Sequence, residues 1–220
     1  MLDSGTPVRV PLPDLDLAIQ ALMLHVRDHV DGFAHLRPHQ ILVVAGEARR
    51  ASRATIKPLT FAGGKLLDAS GRRKPEVRVD GWQMRYCITL RPLFFRNSTP
   101  QARIGTLLHE LFHIGPTFDG TLDPERRHDR LGPRFATLFR PVLASCLEGL
   151  PEALLLPFAH HGEVNVRQWV ERPGASVSRT SRLERSLYTE AQLYRARVFQ
   201  VTRRSARAAL SGAPGSHRLH

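Results

Sequence analysis

Residues 109–113 read His-Glu-Leu-Phe-His, close to the end of a segment, 98–115, that carries its own helix punctuation. Ser98 or Thr99 can cap the N-terminus, Pro100 suits the first helical position, and Gly115-Pro116 gives a C-terminal stop. The spacing therefore predicts a helix that ends in this motif. Residues four apart lie one above the other on a helix, so His109 and His113 project from one face and two imidazole nitrogens can share one ion. Glu110 follows about 100° round the helix, beside the first ligand, where a carboxylate can serve as general base without occupying the metal. Ile104, Leu107, Leu108, Leu111 and Phe112 supply the apolar side that anchors such a helix in a core.

Upstream of the motif the chain reads as one helix and three strands. Leu15, Ile19, Leu22, Val26 and Val30 recur at helical spacing. His25 and His29 stand four apart on that helix, but no acid sits beside the first, and the pair reads as part of a solvated face. Residues 41–45 and 54–61 are β-rich, and Trp82, Met84, Tyr86, Ile88 and Leu90 alternate with polar residues as in one half-buried strand. The expected order is helix, strand, strand, strand, motif helix, an α+β arrangement with a three-stranded mixed sheet.

Downstream, Phe135, Leu138, Phe139, Val142 and Leu143 predict a further helix, with a kink or break at Pro141. Residues 151–157 suggest a short helical turn and residues 164–170 a strand. Thr189 with Gln192 forms a capping box, and Leu187, Ala191, Tyr194, Val198 and Val201 form a stripe, which together predict a last, arginine-rich helix. The final ten residues read as disordered.

A hydrolytic zinc site uses three protein ligands and leaves one position open. Two candidates stand out for the third. Asp119 falls six residues after His113, the spacing of the metzincin pattern, although Pro116 stands where that pattern turns at glycine. His128 sits in a loop just before a new helix; Glu125, Asp129, His160 and His161 fit better as surface residues. Tyr86, His160 and His161 are candidate oxyanion donors.

The motif, followed by His128 and then Gly132-Pro133-Arg134-Phe135, resembles the SprT-like (Spartan-type) zinc proteases, with three residues inserted between the histidine and the Gly-Pro element. The stretch 108–128, together with 162–169 and Tyr188-Thr189-Glu190-Ala191, is also similar to small sequence-predicted metallopeptidases of phages and mobile elements. The resemblance implies a zincin-like minimal core and a Zn2+ ion on His109, His113 and His128, while the spacing after His113 keeps Asp119 as the alternative third ligand. It also implies hydrolysis of a peptide or protein by a metal-activated water with Glu110 as general base, the substrate adding as a strand at a sheet edge above the motif helix. The domain layout that follows is a lead over 1–13, a metallopeptidase domain over 14–150 and a basic, helical extension over 151–220.

Composition narrows the remaining classes. At 220 residues the chain can bury one good core and a modest extension. No apolar run is long enough to span a bilayer, the N-terminus does not resemble a signal peptide, and two cysteines are too few for a disulfide framework, which together suggest a cytoplasmic protein with no membrane partner. The net charge of +12 is uneven, since residues 167–220 hold eleven arginines against three glutamates. Arg195, Arg197, Arg203 and Arg204 are therefore candidate nucleic-acid contacts, and a basic nucleic-acid-binding protein with a structural or inactive metal site, or a DNA-associated protease, is the competing reading. A three-histidine ribonuclease pattern would need histidine at 119, where the chain has Asp119.

Overall fold

Asp14 starts the first helix. Its carboxylate accepts from the amides of Asp16 and Leu17, and α1 (Leu15–His29) then turns Leu15, Ile19, Leu22, Met23 and Val26 into the core. The computed structural model describes residues 11–47, 53–92 and 98–200. These form a mixed α+β structure in which the main sheet is three-stranded, with order β1 (Ile41–Ala45), β5 (Tyr86–Leu90), β2 (Ala54–Pro58). β1 runs parallel to β5 and β2 antiparallel to it, so β2 is an edge.

The predicted strand over 82–90 is two strands. β3 (Glu76–Val79) and β4 (Trp82–Gln83) form a hairpin joined by Asp80-Gly81, both at positive φ, the backbone such a tight turn demands. The chain then enters the main sheet as β5, where every residue is buried, because both faces are covered. Tyr86, Ile88 and Leu90 face α1 and the motif helix, while Cys87 joins Leu42, Val44, Val77, Val79, Met84 and Tyr188 in a second apolar cluster. β7 (Leu187–Tyr188) extends the β3–β4 pair.

The motif helix is α2 (Pro100–Phe112), with Thr99 as cap through its hydroxyl to the Ala102 amide. A four-residue helix, α3 (His128–Leu131), precedes α4 (Arg134–Glu148), which runs on through Pro141, and α5 (Glu152–Ala159). No single helix among the described residues is long and apolar enough to cross a membrane; α4 and α5 pass that test only together, across a bend of 106°.

The helix predicted from Thr189 onward is instead a strand. The capping box is present, but it closes only the single turn Glu190–Gln192, after which β8 (Leu193–Phe199) pairs antiparallel with β6 (Glu163–Trp169) along seven residues. A register of seven backbone pairs, with Ala196 turned inward and Arg195 and Arg197 outward, outweighs the helical periodicity that the sequence also carries. β6 packs Val164 and Val166 into the α1 core, and the amide of Asn165 donates to the Pro13 carbonyl. The strands of the expected extension thus help to bury α1. The tail predicted to be disordered, and most of the 1–13 lead, lie outside the described residues.

Candidate metal centre

His109 lies in the last turn of α2 and His113 is its C-cap, still in the right-handed helical region. The chain then reverses: Ile114 bridges to Leu122, and the Asp123 amide donates to the His113 carbonyl at 2.8 Å. This doubling back lays residues 123–128 beside the end of the motif helix. Arg126 holds the return in place. Its guanidinium lies 4.4 Å from the centre of the Phe112 ring, donates to the Phe112 carbonyl at 3.2 Å and pairs with Asp123 at 3.3 Å.

The result is a convergence of His109, His113 and His128, whose ligating nitrogens all lie within 4.8 Å of one another. His109 Nε2 and His128 Nε2 are 2.9 Å apart. Nitrogens bound about 2 Å from one tetrahedral ion stand roughly 3.3 Å from each other, so this spacing is the right order for a shared cation. His113 Nδ1 donates to the Arg126 carbonyl at 2.7 Å, which leaves its other nitrogen unprotonated and available as a ligand. Burial, and then the neighbouring His113 and His128, lower the His109 pKa to about 3; burial likewise lowers that of His113. Both imidazoles are therefore held neutral, the form that binds metal. Three imidazole nitrogen donors close enough to hold one divalent ion fit a metal centre.

Phe135 touches all three rings, with centroids 4.7 Å from His109, 5.3 Å from His113 and 4.3 Å from His128. Phe139 adds a contact at 5.5 Å to His109. Helix α4 thus supplies an aromatic backing that restricts the rings. In the sequence, Phe135 stood both in a helix stripe and after Gly132-Pro133, but neither pattern placed its ring against the histidines.

Glu110 is buried, and burial pushes its carboxyl up to about 7 against the opposing effect of a hydrogen bond from the Ile56 amide of β2. The general-base candidate is thereby tied to the open edge of the sheet.

The other candidates are engaged elsewhere. Asp119 accepts from the Thr121 amide and hydroxyl at 3.0 and 2.7 Å, bonds that hold its carboxyl below the usual range, and it stands apart from the histidine cluster. Its role is to shape the loop. Glu125 pairs with Arg130 at 3.1 Å. The Tyr86 hydroxyl donates to the Thr121 carbonyl and accepts from the Gly120 amide, both at 2.9 Å, so it has no proton left for an oxyanion. His160 and His161 follow α5, whose Phe158 carbonyl is bound by Arg103 at the opposite end of the motif helix. They lie outside the cluster. Gly120, at φ 91°, packs so tightly that a Cβ there would sit 2.0 Å from Thr60 Oγ1.

The basic residues are also partly committed. Arg195 bonds Asp14 and lies 3.2 Å from Asp16, and Arg197 stands 4.0 Å from Glu163. Arg203 and Arg204 lie outside the described residues. No protein-family model, curated protein or solved structure matches this chain.

Proposed function

We propose that this chain is a zinc-dependent metallopeptidase built on a zincin-like minimal core. The single observation that carries the reading is the arrival of His128, from a loop closed by Arg126, on the two histidines of a His-Glu-x-x-His helix. Three imidazoles with no cysteine or carboxylate among them favour zinc among common ions, and leave a fourth position for chemistry. A zinc ion there supplies Lewis acidity, acidifying water and polarising a carbonyl.

The protein's own residues do the rest. Glu110, in a buried site that keeps its carboxyl near neutrality, takes a proton from water and delivers it to the leaving amine. Substrate backbone meets the sheet at β2. The Leu59 amide donates inward to Arg85, so by strand alternation Ala54, Ile56, Pro58 and Thr60 direct their backbone groups outward. Of these, Pro58 has no N–H, Lys74 occupies the Pro58 and Thr60 carbonyls at 3.0 and 2.8 Å, and the Ile56 amide lies beside Glu110. Ile56 is therefore the point at which an added strand and the base are brought together, and the edge beyond it is closed.

The test is metal content and hydrolysis measured together. Purified protein holds about one zinc per chain and cleaves an unfolded protein substrate; Glu110→Gln keeps the zinc and loses cleavage; His128→Ala loses most of the zinc. Full zinc occupancy in His128→Ala would sink the reading.

A further inference from the structure

A cavity of about 300 Å³ lies on the far side of the main sheet from the histidines. Side chains alternate along β5, so Tyr86, Ile88 and Leu90 pack against the helices while Cys87 and Thr89 line this cavity. On β2, Lys57 stands opposite Cys87 and so belongs to the same far face. Residues 172–176 form its outer wall, held where Arg73 and Val177 exchange backbone hydrogen bonds at 3.0 and 2.9 Å.

The interior is apolar. Leu59, Pro75, Trp169 and Pro173 line it, and Cys87 is an inert wall, because burial pushes its thiol up to about 11. Lys57, Lys74 and Arg172 also line it, and no carboxylate does. Lys74 is bonded to two neutral carbonyls, which leave its charge uncompensated. Lys57 and Arg172 form no ion pair among the described residues, and the neighbouring Glu171 is taken by Arg185 at 3.0 Å.

An apolar cavity alone would accept a neutral molecule, and a basic patch alone would hold any small anion loosely. Combined in one half-open pocket of ligand size, they select an anion with an apolar body. We propose that this cavity binds a small carboxylate carrying an aromatic or branched apolar body, the body against Trp169 and Pro173 and the carboxylate between Lys57 and Arg172. The sheet separates this site from the histidines, so it is independent of the proposed hydrolysis.

Trp82 and Trp169 are the chain's two tryptophans, so Trp82→Phe leaves Trp169 as the reporter of the cavity. In full-length Trp82→Phe protein, 3-phenylpropionate shifts Trp169 emission saturably and gives a calorimetric Kd below about 1 mM. The uncharged 3-phenylpropionamide, and separately Lys57→Gln or Arg172→Gln, bind about tenfold or more weakly. Inorganic phosphate, which lacks the body, leaves the emission unchanged. Both lysine and arginine positions are exposed, so circular dichroism of these variants matches that of the parent. The proposal is overturned if no saturable signal appears up to about 10 mM, if acid and amide bind alike, if phosphate binds as tightly as the acid, or if both charge-removing variants bind unchanged. Zinc content is measured in the same samples, and its loss or retention bears on the metal centre alone.

Discussion

His113 Nδ1 and the backbone carbonyl of Arg126 are 2.7 Å apart, and that one hydrogen bond joins the end of the motif helix to the loop that delivers His128. It also selects the His113 tautomer. The side chain of Arg126 reinforces the junction through Phe112 and Asp123. Arg126→Ala leaves the three histidines in the chain but loosens their meeting point, and affinity for the proposed zinc falls about 10- to 100-fold. Competition with a chromophoric chelator measures this; an unchanged affinity would mean the loop is held by other contacts.

Asp119→Asn distinguishes a loop-shaping residue from a ligand. Asparagine keeps an acceptor for the Thr121 amide, so zinc content stays at the parent level and thermal stability falls by only about 0.5–1.5 kcal/mol. Loss of the proposed zinc from this variant would make Asp119 a ligand.

Gly120→Ala has no good solution. The residue is at positive φ, its Cβ would collide with Thr60 Oγ1, and its amide binds the Tyr86 hydroxyl. A loss of about 2–4 kcal/mol in denaturant unfolding is expected. A change under about 0.5 kcal/mol would show that the loop repacks without cost.

Arg103 is fully buried, and its guanidinium bonds the carbonyls of Phe158 and Gln200 and the Gln200 side chain, tying the motif helix to α5 and the end of β8. Burial lowers its pKa to about 10, so it is still charged at neutral pH. Arg103→Met strips the buried carbonyls of their donor and costs about 3–5 kcal/mol. Equal stability of the two proteins in urea would refute the assignment.

Asp16 sets a pH dependence. Burial raises its carboxyl to about 6, against the opposing hydrogen bond from the Arg167 amide and the charges of Arg167 and Arg195. Between about pH 4 and 6 the folded chain keeps a proton that the unfolded chain has released. The stability from that proton is fully present below about pH 4 and lost as pH rises through 6. Relative to Asp16→Asn, the parent loses up to about 3 kcal/mol over this window. Parallel slopes for both proteins would count against a raised Asp16.

The elements that follow from short-range rules were readable. Thr99, Pro100 and the apolar face of the motif helix agree, so its place and the side from which His109 and His113 project follow from local preference alone. The division of 82–90 turned on Asp80-Gly81, a turn signal visible in the chain but outweighed by unbroken alternation beyond it. At 189–199 the capping box was real, yet only pairing with β6, about thirty residues away in sequence, decides between helix and strand.

The sequence by itself determined two imidazoles and a carboxylate on one helix, because helical pitch converts a spacing of four into a shared face. Which residue completes the cluster was decided by tertiary structure. Asp119 and His128 both lay within reach of the chain, and the outcome rested on a backbone reversal at 114–123 and a carbonyl at Arg126, groups that every residue possesses and no sequence pattern distinguishes. The surroundings of Arg195 and Arg197 were likewise set across the fold, beside Asp14, Asp16 and Glu163, since charge in a sequence says how much but only three dimensions say against what.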